Sequence, residues 1–169
     1  KSMLRRCYSA KYQEKYPTYK GCSVCDEWLY YPNFKKWYDN NYYKISNKTS
    51  QLDKDILVKN NKVYSPDTCV FATGFINTLF IKCQKSRGDF PVGVYYHKAN
   101  KKYEAILSVF KDGKSNKKHL GHFDTPEEAF EAYKKAKEDY IKEIADNYKD
   151  EIPSKLYEAM YTYRVDIDD

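Results

Sequence analysis

No apolar run in this chain approaches the ~18–20 residues that span a bilayer, and no series of charged, apolar and small residues marks a signal peptide. The expectation is a soluble, intracellular protein with no membrane partner. Histidine is scarce: there are three in 169 residues, His97, His119 and His122, all in the second half. The first half has no imidazole for acid–base or metal chemistry unless the halves fold together. The five cysteines, Cys7, Cys22, Cys25, Cys69 and Cys83, are odd in number and irregular in spacing, which argues against a secreted disulfide scaffold and for reduced thiols. Cys22-x-x-Cys25 has zinc-knuckle spacing, but no second pair repeats it, so structural zinc is not expected and buried free thiols are. A phosphate-cradling glycine loop, a serine or cysteine triad, a dinucleotide fingerprint, an internal repeat and a low-complexity segment are all missing. The sequence starts at Lys1, without methionine and inside a helical pattern, so a preceding piece is expected.

What is present describes a globular and moderately basic chain. Hydrophobic residues make up 41% and charged residues 32%, and 19 tyrosines supply apolar surface whose hydroxyls can stay wet. A net charge of +6 suits a polyanionic partner.

Residues Ser2 to Tyr16 carry a helical pattern that Pro17 ends, and a second short helix is expected from Asn33 to Asn41 beside the aromatic residues Trp28, Phe34 and Trp37. "KISNKTSQ", Lys44 to Gln51, reads as a polar loop, and Leu52 to Leu57 alternates as a strand. Turn residues around Asn60, Asn61 and Ser65-Pro66-Asp67 lead to a second strand, Cys69 to Ala72, and then to a short helix, "GFINTLFIK". "CQKSRGDFP", Cys83 to Pro91, reads as a boundary. Beyond it come strands at Val92 to Lys98, Lys102 to Lys111 and Lys117 to Phe123, joined by turns at Ala99-Asn100-Lys101 and Asp112-Gly113. "TPEE" then places Thr125 as a cap, proline at the first helical position and glutamates in the first turn. Ala129, Ala132, Tyr133, Ala136, Tyr140, Ile144 and Tyr148 form one apolar stripe, and Pro153 opens a last helix through Tyr161. The fold class expected is α+β: a small ββα unit with flanking helices over residues 1–84, then a three-stranded antiparallel sheet packed on one long helix, with the carboxy-terminal helix, over 85–169.

With one sheet face covered by the long helix, the other carries Lys98, Lys101, Lys102, Lys111, Lys114, Lys117 and Lys118 in strands and turns, with Tyr95, His97 and His119 among them. Lysines neutralise phosphates, while tyrosine and histidine stack on bases or hydrogen-bond to them, which points to double-stranded DNA as a partner.

"GVYYHKANKKYEAILSV" followed by "KKHLGHFDTPEEAFEAYKKAKE" resembles the ethylene-response-factor (APETALA-type) DNA-binding domain, in the version appended to bacteriophage HNH endonucleases. The resemblance implies that the sheet enters the major groove, with contacts at Tyr95, His97, Ser108, Lys117 and His119. It also implies a packed aromatic at Tyr103 and a sheet–helix core containing Leu120 and Phe123. The plant version has mostly arginines at the contact positions; this chain has none there, which removes bidentate guanine readout.

"MLRRCYS", "PTYKGCSVCDEW", "NFKKWYDNNYY" and "LDKDILVKNNKVYSPDTCVF" resemble a bacteriophage group described as HNH endonuclease-like. That resemblance implies a divalent cation, Mg²⁺ or a similar ion, at Asp53, Asp55 and Asn77, with Asp53, Lys54 and Asn77 as catalytic positions and Asn60 or Asn61 in the loop. Lys54 stands where such a site has histidine, and strand alternation puts it on the face opposite Asp53 and Asp55. The expectation is a phage-type DNA-binding protein with a metal-dependent nuclease site, degenerate at its base. The rival is a non-enzymatic DNA-binding regulator, or a factor that blocks a host defence protein by direct contact. The missing histidine and the many tyrosines favour it. Oligomeric state is left open.

Overall fold

Ser9 divides the first helical pattern in two. The computed structural model describes residues 2–45, 48–81, 89–111, 114–167 and 169. In it α1 (Ser2–Tyr8) stops at Ser9, whose hydroxyl accepts the Tyr12 amide at 3.4 Å and so caps α2 (Ala10–Lys15). The one helix expected through Tyr16 is therefore two short ones, followed by a 3₁₀ turn at Pro17–Tyr19. β1 (Ser23–Val24), α3 (Asp26–Leu29) and α4 (Tyr31–Asn41) come next. α3 is an element that the sequence reading does not contain, and its Trp28 packs edge-on to Phe34 at 5.1 Å and against Trp37 at 4.7 Å. Trp28 sits with Met3, Cys7, Cys22, Val24, Tyr64 and Cys69 in one buried cluster.

β2 (Lys44–Ile45), β3 (Lys48–Asp53), β4 (Val63–Tyr64), β5 (Val70–Thr73) and α5 (Gly74–Leu79) complete this part of the chain. β2, β3 and β5 form an antiparallel sheet in that order, and β1 pairs in parallel with β4. The expected strand at Leu52–Leu57 is thus displaced toward the amino terminus, and most of "KISNKTSQ" is strand rather than loop. Polarity misleads there because Ser50 is buried with its hydroxyl donating to the Tyr43 carbonyl at 2.6 Å.

β6 (Val94–His97), β7 (Lys102–Lys111) and β8 (Lys114–Phe123) form a second antiparallel sheet, β6–β7–β8. α6 (Pro126–Asn147) follows, entered as the sequence predicts. The Thr125 hydroxyl accepts the Glu128 amide at 3.2 Å, and the Glu128 carboxylate accepts the Thr125 amide at 3.3 Å, a reciprocal capping box. The buried side of α6 is Ala129, Phe130, Tyr133, Tyr140, Ile141, Ile144 and Ala145, facing a sheet in which Val94, Ala105 and Leu107 are buried. Phe130, Ile141 and Ala145 widen the expected stripe, whereas Ala132, Ala136 and Tyr148 are only half-buried at its margin. The protein is α+β, with a three-stranded antiparallel sheet packed on one long helix. The Asp112-Gly113 turn and most of the Cys83 to Pro91 boundary lie outside the described residues.

The chain forms two compact units, Lys1–Phe80 with Asp150–Ala159, and Ile81–Lys149 with Met160–Asp169. The start of α7 (Ser154–Thr162), which the sequence reading attaches to the second half, belongs with the first. Lys155 donates to the Cys69 carbonyl at 3.2 Å and lies 5.5 Å from the Trp37 ring centre, and Leu156 is fully buried. Among the described residues no helix is long and apolar enough to cross a membrane.

Candidate functional site

At Asp53 strand β3 stops because its own side chain ends it. Oδ1 of Asp53 accepts the amides of Asp55 and Ile56, both at 2.9 Å, which folds the chain into an Asx-type turn. Two-residue alternation no longer applies past that point, so Lys54 is not on the face opposite Asp55. It is buried, with Nζ donating to Asp55 Oδ2 at 3.1 Å and to the Asn61 carbonyl at 2.9 Å. Asn61 returns the contact: its amide donates to the carbonyls of Lys54 and Val63 at 2.7 and 2.6 Å, and its Oδ1 accepts the Val63 amide at 3.2 Å. Asn60 takes the left-handed conformation, with φ at 65°, which asparagine tolerates better than most residues. Lys54 and Asn61 therefore close the loop.

Burial pushes the Asp53 carboxyl up to about 6, and the nearby Asp55 charge adds to the rise against the two amides that oppose it. Asn77 lies half-buried on α5, with its carbonyl accepting the Phe80 amide at 3.2 Å. The register sets Asp53 opposite Val70 and Ser50 opposite Thr73, the α5 cap. Asp53 is thus at the far end of this ladder from the start of α5, ~10 Å along the strand. The structure brings Asp53, Lys54, Asp55 and Asn61 together, and among the described residues no hydrogen bond joins Asn77 to them.

Cys7, Cys22 and Cys69 are buried and Cys25 half-buried, all as free thiols. Burial pushes Cys7 up to about 11 and Cys69 up to about 12, as for thiols packed in an apolar core.

In the second sheet the register sorts side chains by face. Val94, Tyr96, Tyr103, Ala105 and Leu107 share the α6 side, and Tyr103 packs against the Phe90 and Tyr96 rings at 5.2 and 5.3 Å. The open side is a set of cross-strand rows: His97 with Lys102, then Tyr95 with Glu104 and His122, then Ile106 with His119, then Ser108 with Lys117. Every strand residue expected to contact DNA, namely Tyr95, His97, Lys102, Ser108, Lys117 and His119, falls on this side, with Lys98 exposed in the turn after β6. Two lysines also expected on this face do not: Lys118 pairs with buried Leu107, and Lys114 opposes position 111 of β7, so both belong to the α6 side by register. Lys102 is held by Asp124 at 3.0 Å.

The pairing is irregular between Ala105 and Ile106, which oppose Gly121 and His119, leaving Leu120 as the extra residue of a β-bulge. On a regular strand His119 and His122 would point to opposite faces. The bulge resets the alternation and puts both on the open side with Glu104. His119 Nε2 lies 2.7 Å from Glu104 Oε1, and the His122 ring lies 4.8 Å from that of His119 and 5.4 Å from that of His97. Sequence reading assigns no role to Glu104 or His122. The signal that could have found them is Gly121, with φ at 139°, inside an otherwise alternating strand.

Comparison with protein-family models, curated proteins and solved structures finds no match for this chain.

Proposed function

We propose that the second unit binds double-stranded DNA through the open face of the β6–β7–β8 sheet. The observation that carries this reading is the common face: α6 covers one side, and the other presents Tyr95, His97, Ser108, Lys117 and His119, the positions to which the APETALA-type resemblance assigns DNA contacts. Lys117 and Lys98 are exposed and available to phosphates, while Tyr95, 54% exposed, offers a ring to bases from the same face. Without arginine on these rows, sequence preference is weak and electrostatics supply most of the affinity. For about three phosphate contacts, duplex affinity measured by anisotropy falls roughly 40-fold between 50 and 200 mM salt. Lys117→Ala weakens binding and lowers the salt slope by about one, and adding His119→Ala weakens it further. Binding that ignores salt, or no binding, removes the proposal.

A second reading, cleavage of that DNA with a divalent ion at Asp53 and Asp55, is favoured by one observation. Burial, with the nearby Asp55 charge adding to it, pushes Asp53 up to about 6, and a dication would offset that cost at Asp53. Asp53→Asn tests it in two ways. Wild-type protein nicks supercoiled plasmid with Mg²⁺ or Mn²⁺ and the variant does not. Without metal, the variant is the more stable at neutral pH by about 1–2 kcal/mol, discounted from the shift because the group keeps some solvent. The sign follows from the raised pKa: the proton-linked stabilisation from Asp53 is fully present below its ordinary 3.8 and lost as pH rises through about 6. The advantage of the variant therefore closes as the pH drops below ~4. Equal nicking by both proteins rejects Asp53 as the metal ligand.

A further inference from the structure

We propose that Glu104, His119 and His122 form a binding site for a divalent transition-metal ion of the zinc class on the open face of the second sheet. One ligand atom from each side chain lies within 4.8 Å of the other two. Tetrahedral zinc with bonds of ~2.0–2.2 Å needs donors ~3.4 Å apart, a side-chain adjustment of about an ångström. Two imidazole nitrogens and one carboxylate select zinc, copper, nickel or cobalt over magnesium and calcium, which prefer oxygen donors.

Three features of the fold support the site. The bulge at Leu120 is what turns His119 to the same side as His122 and Glu104, and bulges commonly re-aim side chains in this way. Glu104 and His119 already meet at 2.7 Å, so two of the donors face one another before any ion enters. The ring of His97 stands 5.4 Å from that of His122, and its Nδ1 is shielded from solvent with no hydrogen-bond partner. A buried imidazole nitrogen left unpaired is costly, and rotation toward a metal would satisfy it as a fourth donor. Otherwise the fourth position takes water, as in open zinc sites.

The proposal does not rest on DNA binding, and its test uses the metal alone. The full chain, stripped with EDTA, is titrated with Zn²⁺ by calorimetry and with Co²⁺ by visible absorption. One ion binds per chain, excess Mg²⁺ does not displace it, and the Co²⁺ spectrum is that of nitrogen and oxygen ligation. His122→Gln and Glu104→Gln each weaken binding at least ~10-fold. Far-ultraviolet circular dichroism confirms that both variants remain folded, and the paired change Cys22→Ser with Cys25→Ser leaves the affinity intact. Absence of binding, binding unchanged in both ligand variants, or binding lost only in the cysteine variant overturns the site.

Discussion

Lys54→Ala is expected to lower the stability of the first unit by about 2–4 kcal/mol. The side chain is 7% exposed, and its Nζ joins Asp55 to the Asn61 carbonyl across the loop. Truncation leaves that carbonyl without its donor and opens a cavity where the stem packs, two costs that add. Asp55→Ala is expected to cost less, because the Asp55 side chain is 48% exposed and water replaces part of what is lost. Lys54→Met should fall between the alanine variant and wild type, since it keeps the packing and loses only the polar contacts. Both tryptophans, Trp28 and Trp37, belong to the first unit, so urea unfolding followed by tryptophan emission reports on that unit. A Lys54→Ala protein as stable as wild type would show that the buried contacts contribute little. Lys54 would then be better explained by chemistry than by loop closure.

Lys54 also marks where sequence reading stopped working. Leu52, Lys54 and Ile56 alternate as strand residues do, and Ile56 is indeed buried, so the period of two found real inward positions. It assigned them to a strand because nothing in a hydropathy pattern registers that the Asp53 carboxylate takes two amides and ends the ladder. The Thr125 box was legible for the opposite reason. Its partners are three residues apart and capping needs no tertiary information, so "TPEE" suffices. Cap chemistry was just as local at Ser9, and only the continuity of the apolar pattern across it hid the break.

On the second sheet the positions that the resemblance supplied, Tyr95, His97, Ser108 and Lys117, do share the open side by register, but the reading that set Lys118 beside Lys117 overlooked the alternation of a regular strand. The Glu104, His119 and His122 cluster was not legible, because counting by two separates His119 from His122 and only the bulge reunites them. Both functional readings of this face pass through the same few residues. Lys117 lies one row beyond His119 and two beyond His122 and is not among the proposed ligands, so its replacement separates phosphate binding from metal binding.

The second large effect is expected at Gly93, where the sheet begins. Gly93 has φ at 76°, a conformation that costs any residue with a Cβ, and its carbonyl accepts the Ile106 amide at 2.9 Å, fastening the entry of β6 to β7. A Cβ built there would overlap the Tyr133 ring of α6, 2.5 Å from Cγ and nearer still to Cδ2 and Cε2. Tyr133 is 8% exposed and faces the sheet, so the ring has little room to withdraw. Backbone strain and overlap together make Gly93→Ala cost about 3–5 kcal/mol, enough to unfold a marginal domain. Amides of β6, β7 and α6 should lose most of their protection from hydrogen exchange, and duplex DNA binding should fail with them. The Lys54→Ala loss, by contrast, should be confined to the first unit. If Gly93→Ala keeps native protection along α6, the close approach of Gly93 and Tyr133 does not hold this sheet to its helix. The glycine would then need another reason.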